Sequence, residues 1–168
     1  MNRLLRLIRH RLWDSTDAAR ALRPDALARI EARVRDSERH HSGEICVCVE
    51  ASLPLSYLWR GASARDRAIA QFGKQRVWDT ELNNGVLIYL LLVEHRVEIV
   101  ADRGLNRHVT PAQWQAVLDT MQADFQAGRF EAGLLVAVDQ VDSLLRAVCP
   151  LAEGSTAVNE MPDTVRMG

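Results

Sequence analysis

The stretch Asn83-Asn84-Gly85-Val86-Leu87-Ile88-Tyr89-Leu90-Leu91-Leu92 constrains the fold more than any other part of the chain. A polar turn opens it. The apolar run that follows has strand length and no alternation, so it predicts a strand covered on both faces. Val93-Glu94-His95 then reverses the chain into Arg96-Val97-Glu98-Ile99-Val100-Ala101, which ends at the corner Asp102-Arg103-Gly104. Glu44-Ile45-Cys46-Val47-Cys48-Val49-Glu50 is a second continuous apolar strand, bounded by acids.

Helices fill the intervals. Pro24 suits a first helical turn, with Leu27, Ile30 and Val34 at helical spacing behind it and Ser42-Gly43 as terminator. Residues 62–77 predict a helix burying Ala64, Ala68, Ile69 and Phe72. Thr110-Pro111-Ala112-Gln113 has the form of a capping box, followed by the stripe Trp114, Val117, Leu118, Met121 and Phe125 up to Gly128. A last helix runs from about Phe130 to Val148, stopped by Cys149-Pro150. Strand 44–50, helix 62–77 and strand 85–92 make a βαβ unit with parallel strands, and strand 96–102 returns antiparallel. The predicted fold is therefore a single-domain α/β sandwich, a central mixed sheet flanked by helices on both faces. Residues 1–23 form a basic amphipathic segment, 24–150 the domain and 151–168 a flexible tail.

The chain has 168 residues, 48% hydrophobic and 26% charged, with a formal net charge of -1. That balance gives no general attraction to nucleic acid or to an anionic membrane, and Trp13, Trp59, Trp78 and Trp114 are scattered rather than arrayed for base stacking. Lys74 is the only lysine, a bias that reads as coding preference. Cys46, Cys48 and Cys149 cannot all pair, and a disulfide between Cys46 and Cys48 would be strained, which suits a reduced cytoplasmic setting. Arginines interrupt residues 1–12, so no signal peptide is expected, and no run approaches a spanning helix. Residues 1–13 set Arg3, Arg6 and Arg9 against Leu4, Leu5, Leu7, Ile8, Leu12 and Trp13. Two readings stand: a docking segment for a membrane surface or an unidentified protein partner, or a short helix or mobile arm lying on its own domain.

Sorting the strand ends by direction places Glu44, Asp79, Glu81, Asn83, Asn84, Asp102 and Asn106 together. Carboxylates and amide carbonyls converging from loops suit a weakly bound hard cation, Ca²⁺ or Mg²⁺, with Asp102, Asn84, Asp79, Asn83 and Glu44 as candidate ligands. The competing reading is that each residue bonds its own loop backbone. His40-His41 reads as a solvated helix end, His95 and His108 as exposed loop residues. No Cys-x5-Arg, Asp-x-Asp-x-Thr or Gly-rich phosphate loop is present, so any phosphate-ester chemistry would depend on the metal, with Asp79 or Glu44 as base.

The segments GEICVCVE, ELNNGVLIYLLLVEHRVEIVADRGLN and TPAQWQAVLDTMQADFQAGRFEAGL, in that order, resemble the TPM domain family, the TPM-phosphatase group, in its short soluble bacterial branch. Asn84-Gly85 and Asp102-Arg103-Gly104 carry the motif match and Glu44 the strand opening, with Asp79 less securely aligned. The resemblance implies an α/β sandwich with a divalent-cation site in loops at one end of the sheet. It also implies, for plant relatives, a proposed acid phosphatase activity and a part in photosystem repair. On these grounds the expected role is a cation-binding accessory or protein-interaction module, the alternative a metal-dependent phosphomonoester hydrolase.

Overall fold

Two strands whose central residues are apolar on both faces need cover on both sides, and the described chain is arranged to supply it. The structure is a computed structural model describing residues 3–151 and 159–168. Strand β1 (Glu44–Glu50) pairs in parallel with β2 (Gly85–Leu91), from Glu44 opposite Gly85 to Glu50 opposite Leu91. Strand β3 (Arg96–Ala101) returns antiparallel beside β2, with Val86 opposite Ala101. His95 closes the reversal in the left-handed region at φ 52°.

Side-chain alternation divides the core in two. Ile45, Val47, Val49, Val86, Ile88 and Leu90 face a layer built from α3 (Pro24–Ser37), α6 (Pro111–Gln126) and α7 (Phe130–Val148). Cys46, Cys48, Leu87, Tyr89 and Leu91 face the opposite layer, from α4 (Leu55–Trp59) and α5 (Ala64–Lys74). The expected sandwich is what forms. Helix α6 begins with the expected capping box, in which Thr110 and Gln113 bond each other's backbone N–H. Helix α5 is shorter than 62–77, because Ser63 and Asp66 form a capping box that sets its first turn. On α5, Ile69 is exposed and Gln71 takes the inward position, where its amide donates to Glu50.

The ends of the chain differ from expectation. Helices α1 (Arg3–Leu12) and α2 (Ser15–Ala21) precede α3, and Ala18 and Leu22 already belong to the core. The hydrophobic unit therefore begins before residue 24. Within 151–168, residues 152–158 lie outside the described residues, but residues 159–168 are not a free tail. Arg166–Met167 (β4) pairs in parallel with β1, giving the order β3-β2-β1-β4, and Met161 and Val165 are buried. An apolar strand such as β1 cannot leave its outer backbone groups unpaired, and β4 takes up part of that edge. Gly168 N–H adds a bond to Val49 O at 3.0 Å. The three cysteines are free, and among the described residues no helix is long and apolar enough to cross a membrane.

Gly85 is the tightest point of the β1–β2 pair, since a Cβ there would meet the Val77 carbonyl oxygen at 1.9 Å. Gly73, on α5, has nothing within 4 Å of the same position. Gly85→Ala should lower stability by about 3 kcal/mol, a clash against backbone that has no flexible end to yield. Gly73→Ala should raise it by about 0.5–1 kcal/mol. Urea unfolding of the two variants reads both signs, and equal effects would contradict the packing described.

Candidate functional site

The candidate ligands share one end of the sheet but not one face. Glu44 opposes Gly85 on β2, and Asp102 N–H donates to Gly85 O at 2.9 Å, so Glu44, Gly85 and Asp102 form one row across the sheet. The row lies on the α5 side, in register with Cys46, Leu87 and Val100. The Val77 backbone rests on Gly85 in the middle of it. Glu44 and Asp102 thus stand two strand spacings apart, about 10 Å, with chain between them. Asn84 is one residue before the row, and the pleat turns it to the other face. There it lines a cavity of about 230 Å³ with Ser42, Leu105, Val148 and Cys149.

Each residue has its own local arrangement. Asn84 Nδ2 donates to Ser42 O at 2.7 Å and its N–H to Thr80 Oγ1 at 3.1 Å, while Oδ1 is buried without a partner. Asp102 Oδ1 accepts Arg103 N–H at 2.6 Å, and Oδ2 is buried without a partner. Glu44 Oε1 accepts Glu160 N–H at 3.1 Å, and Oε2 is likewise without a partner. Asn83, at φ 53°, accepts Arg103 Nε–H on Oδ1 at 3.1 Å. Asp79 is exposed, 3.9 Å from Arg76. Among the described residues, no three His, Cys, Asp or Glu side chains are grouped to hold a metal.

The divalent cation implied by the resemblance fits these residues only in part. Three buried oxygens need a donor or a cation, which is the chemistry a hard ion supplies. Asn84 lies on the other face from Glu44 and Asp102, and those two stand two strands apart, so the three do not form a single coordination shell. End-sorting fixes which end of the sheet each of the five expected residues occupies, and the period-2 pleat then decides its face.

A second polar group lies beside Glu44 and was not visible in the sequence. Glu38, just past α3, is buried and accepts Ile45 N–H on Oε1 at 3.0 Å. Burial pushes its carboxyl up to about 8, opposed by the Ile45 N–H and reinforced by the charges of Glu44 and Asp163. Burial also raises Glu44. Asp163 pairs with Arg35 at 2.9 Å and accepts from Asn159 Nδ2 at 2.6 Å. Glu160 accepts Glu81 N–H at 3.0 Å. This carboxyl group joins the C-terminal segment to the sheet. Its only sequence signal is Glu38 seven residues before Ile45, because residues 159–168 carry no periodicity.

The remaining candidates are structural. His41 is fully buried, 3.5 Å from Asp142, contrary to a solvated helix end, because the chain after α3 turns under α7. Burial lowers its basicity. His40 stays exposed, 2.8 Å from Arg146. His95 is half-buried edge-on against Phe130, with ring centroids 5.1 Å apart. Burial pushes the thiols of Cys46 to about 12 and of Cys48 to about 11, and raises Cys149, so none is a ready thiolate.

A carboxyl raised in the folded state contributes its full stability below its ordinary 4.5 and loses it as pH climbs through about 8. Glu38→Gln keeps an acceptor for Ile45 N–H and removes the charge. Urea unfolding should therefore find the variant ~2 kcal/mol more stable than wild type at pH 9 and little different at pH 5. Parallel pH profiles for the two proteins would rule out a buried, raised Glu38.

The same fold occurs in BA42 from the psychrophilic bacterium Bizionia argentinensis, with a TM-score of 0.76 and 28% identity over 88% of this chain and 95% of that one. The N-terminal domain of a P. gingivalis protein shares the fold at a TM-score of 0.63 and 21% identity, covering 76% of this chain and 78% of that one. The N-terminal domain of cg2496 from Corynebacterium glutamicum shares it at a TM-score of 0.56 and 13% identity, covering 83% and 81%. Among curated proteins none matches the chain. Residues 15–144 match the family described as the TPM domain, and the chain belongs to that family.

Proposed function

We propose that the protein is a non-catalytic interaction module with one weak divalent-cation point at Asp102. The observation that carries this reading is the buried Asp102 Oδ2 with no hydrogen-bond partner among the described residues, at a corner next to the polar 79–84 loop. A carboxylate oxygen without a donor is stabilised by a hard cation, and water can complete the shell where protein ligands are few. Asp79 and Asn83 are the loop groups able to join it, their side chains now facing the exposed arginines Arg76 and Arg103. Glu44 is assigned to the carboxyl group of the C-terminal segment, and Asn84 to the cavity on the other face.

Catalysis is not favoured. Phosphoryl transfer needs a nucleophile or an activated water together with several charges aimed at the transferring group. The cysteines are protonated by burial, and among the described residues the acids that could act as base or ligand form no group of three.

Titration of the full chain with CaCl₂, followed by amide NMR, tests the reading. The Asp102, Asn83 and Asp79 signals should move together and saturate with a dissociation constant on the order of 10⁻⁴–10⁻³ M. Asp102→Asn should weaken binding about tenfold, while the Glu44 signal stays put. Unmoved signals at Asp102 would remove the cation. Phosphomonoester turnover with Ca²⁺ or Mg²⁺ in the wild type, lost in a folded Asp102→Asn protein, would replace the module with an enzyme.

A further inference from the structure

Helix α1 is mounted inside out. At about 100° per residue, Leu4, Ile8, Leu12 and Leu5 occupy a single arc of about 100°, with Arg9 and Arg11 on its two borders. The opposite face carries Arg6 and His10 and meets the domain together with Leu7, which packs on the α4–α5 side of the core. Leu53 N–H donates to His10 Nδ1 at 3.0 Å, so His10 Nε2 carries the hydrogen toward Glu94 Oε1, 2.9 Å away. Arg6 Nε–H donates to the same oxygen at 2.7 Å. The polar latch leaves the apolar arc outward: Leu5 is 61% exposed, Ile8 46% and Leu12 75%.

Helix α4 packs beside α1 and extends the patch. Leu55 and Trp59, one helical turn apart, are 43% and 75% exposed, while Leu58 between them is buried. Gly61, just beyond, lies against the Arg3 guanidinium. Arg9 and Arg11 border the apolar arc, Arg3 reaches the end of α4 at Gly61, Arg60 follows Trp59 and lies over the Tyr57 ring, and residues 3–12 contain no acid to balance them.

We propose that the α1–α4 face docks on an anionic lipid surface, with Leu5, Ile8, Leu12 and Trp59 entering the headgroup boundary and the arginines meeting lipid phosphate. Charge decides among occupants. A second copy seated on the same face would set arginine against arginine across a symmetric contact. An anionic membrane takes the apolar arc and the cationic border together, and arginine stems can lie along the apolar surface while their heads reach phosphate. Trp59, amphipathic and largely exposed, suits the same boundary. This face is separate from the Asp102 corner and stands without it.

The test uses the full chain and sonicated vesicles of phosphatidylcholine alone or mixed with phosphatidylglycerol. Wild type should co-sediment with the anionic vesicles at 0.1 M NaCl, with a blue shift in tryptophan emission that Trp59→Phe largely removes. Neutral vesicles and 0.5 M NaCl should each weaken binding. Leu5→Glu/Ile8→Glu, at exposed positions, should cut the partition at least tenfold while its urea midpoint stays that of wild type. Wild type remaining in the supernatant, equal binding to neutral vesicles, or an unimpaired double variant would each overturn the proposal. So would lipid-free dimerisation in sedimentation velocity that the double variant abolishes, since the face would then belong to a second copy.

Discussion

Burial of β2 on both faces is the constraint on which the rest depends. From Val86 to Leu91 no side chain reaches solvent, and β1 beside it is buried along its whole length. A parallel pair of this kind cannot stand alone, because each face needs a helical layer and each outer edge a partner. β3 supplies one edge and β4 part of the other, while α3, α6 and α7 cover one face and α4 and α5 the other. The polar groups where β1 ends must then be satisfied locally, since water is excluded there.

The two ends of β1 are resolved differently. At Glu50, burial raises the carboxyl, but the Arg67 guanidinium, the Tyr89 hydroxyl and the Gln71 amide more than offset it, and the group stays below its ordinary range. Arg67 Nε–H reaches Glu50 at 2.8 Å, Tyr89 O–H at 2.7 Å and Gln71 Nε2–H at 2.6 Å, and the Arg67 guanidinium also lies 4.9 Å from the Tyr57 ring centroid. Removing one partner of such a pair would strand the other charge. At Glu44 no cation answers the carboxyl. Backbone N–H groups of the C-terminal segment, Glu160 foremost, face it, and Glu38 stands near as a second carboxyl. One end is thus closed by a complete ion pair, while the other keeps orphan oxygens, and functional chemistry tends to sit where polar groups are left unsatisfied.

The legible parts of the chain were those with strong periodic or capping signals. β1 was readable to the residue because an apolar run lay between two acids, and the α6 start because Thr110 and Gln113 hold a spacing with one mechanical use. β4 was not readable: two residues carry no period, and their place is fixed by the unpaired edge of β1 rather than by their own sequence. Helix α4 is one turn and a fraction, too short for an apolar stripe to declare itself. The candidate site was half legible. Strand direction correctly brought Glu44, Asn84 and Asp102 to one end, whereas the offset of one residue that sends Asn84 to the opposite face appears only with the register. Glu38 was hidden because a glutamate past a helix end is usually solvated, and its burial depends on how the chain turns into β1.

Helix α1 shows why composition and placement must be read together. Leu4, Leu5, Ile8 and Leu12 turned toward the domain beside Leu7 would have made these residues an ordinary covering helix. The choice is made by a few polar bonds: Leu53 N–H fixes the His10 tautomer, and Glu94 gathers both His10 and Arg6. Burial raises Glu94, but those two hydrogen bonds hold it down at about 2, so the latch stays charged across the physiological range. An apolar contact is strong and undirected, while a hydrogen-bonded one fixes rotation about the helix axis. Anchoring by the directional face leaves the undirected face available, in a fixed orientation, for whatever surface the protein meets.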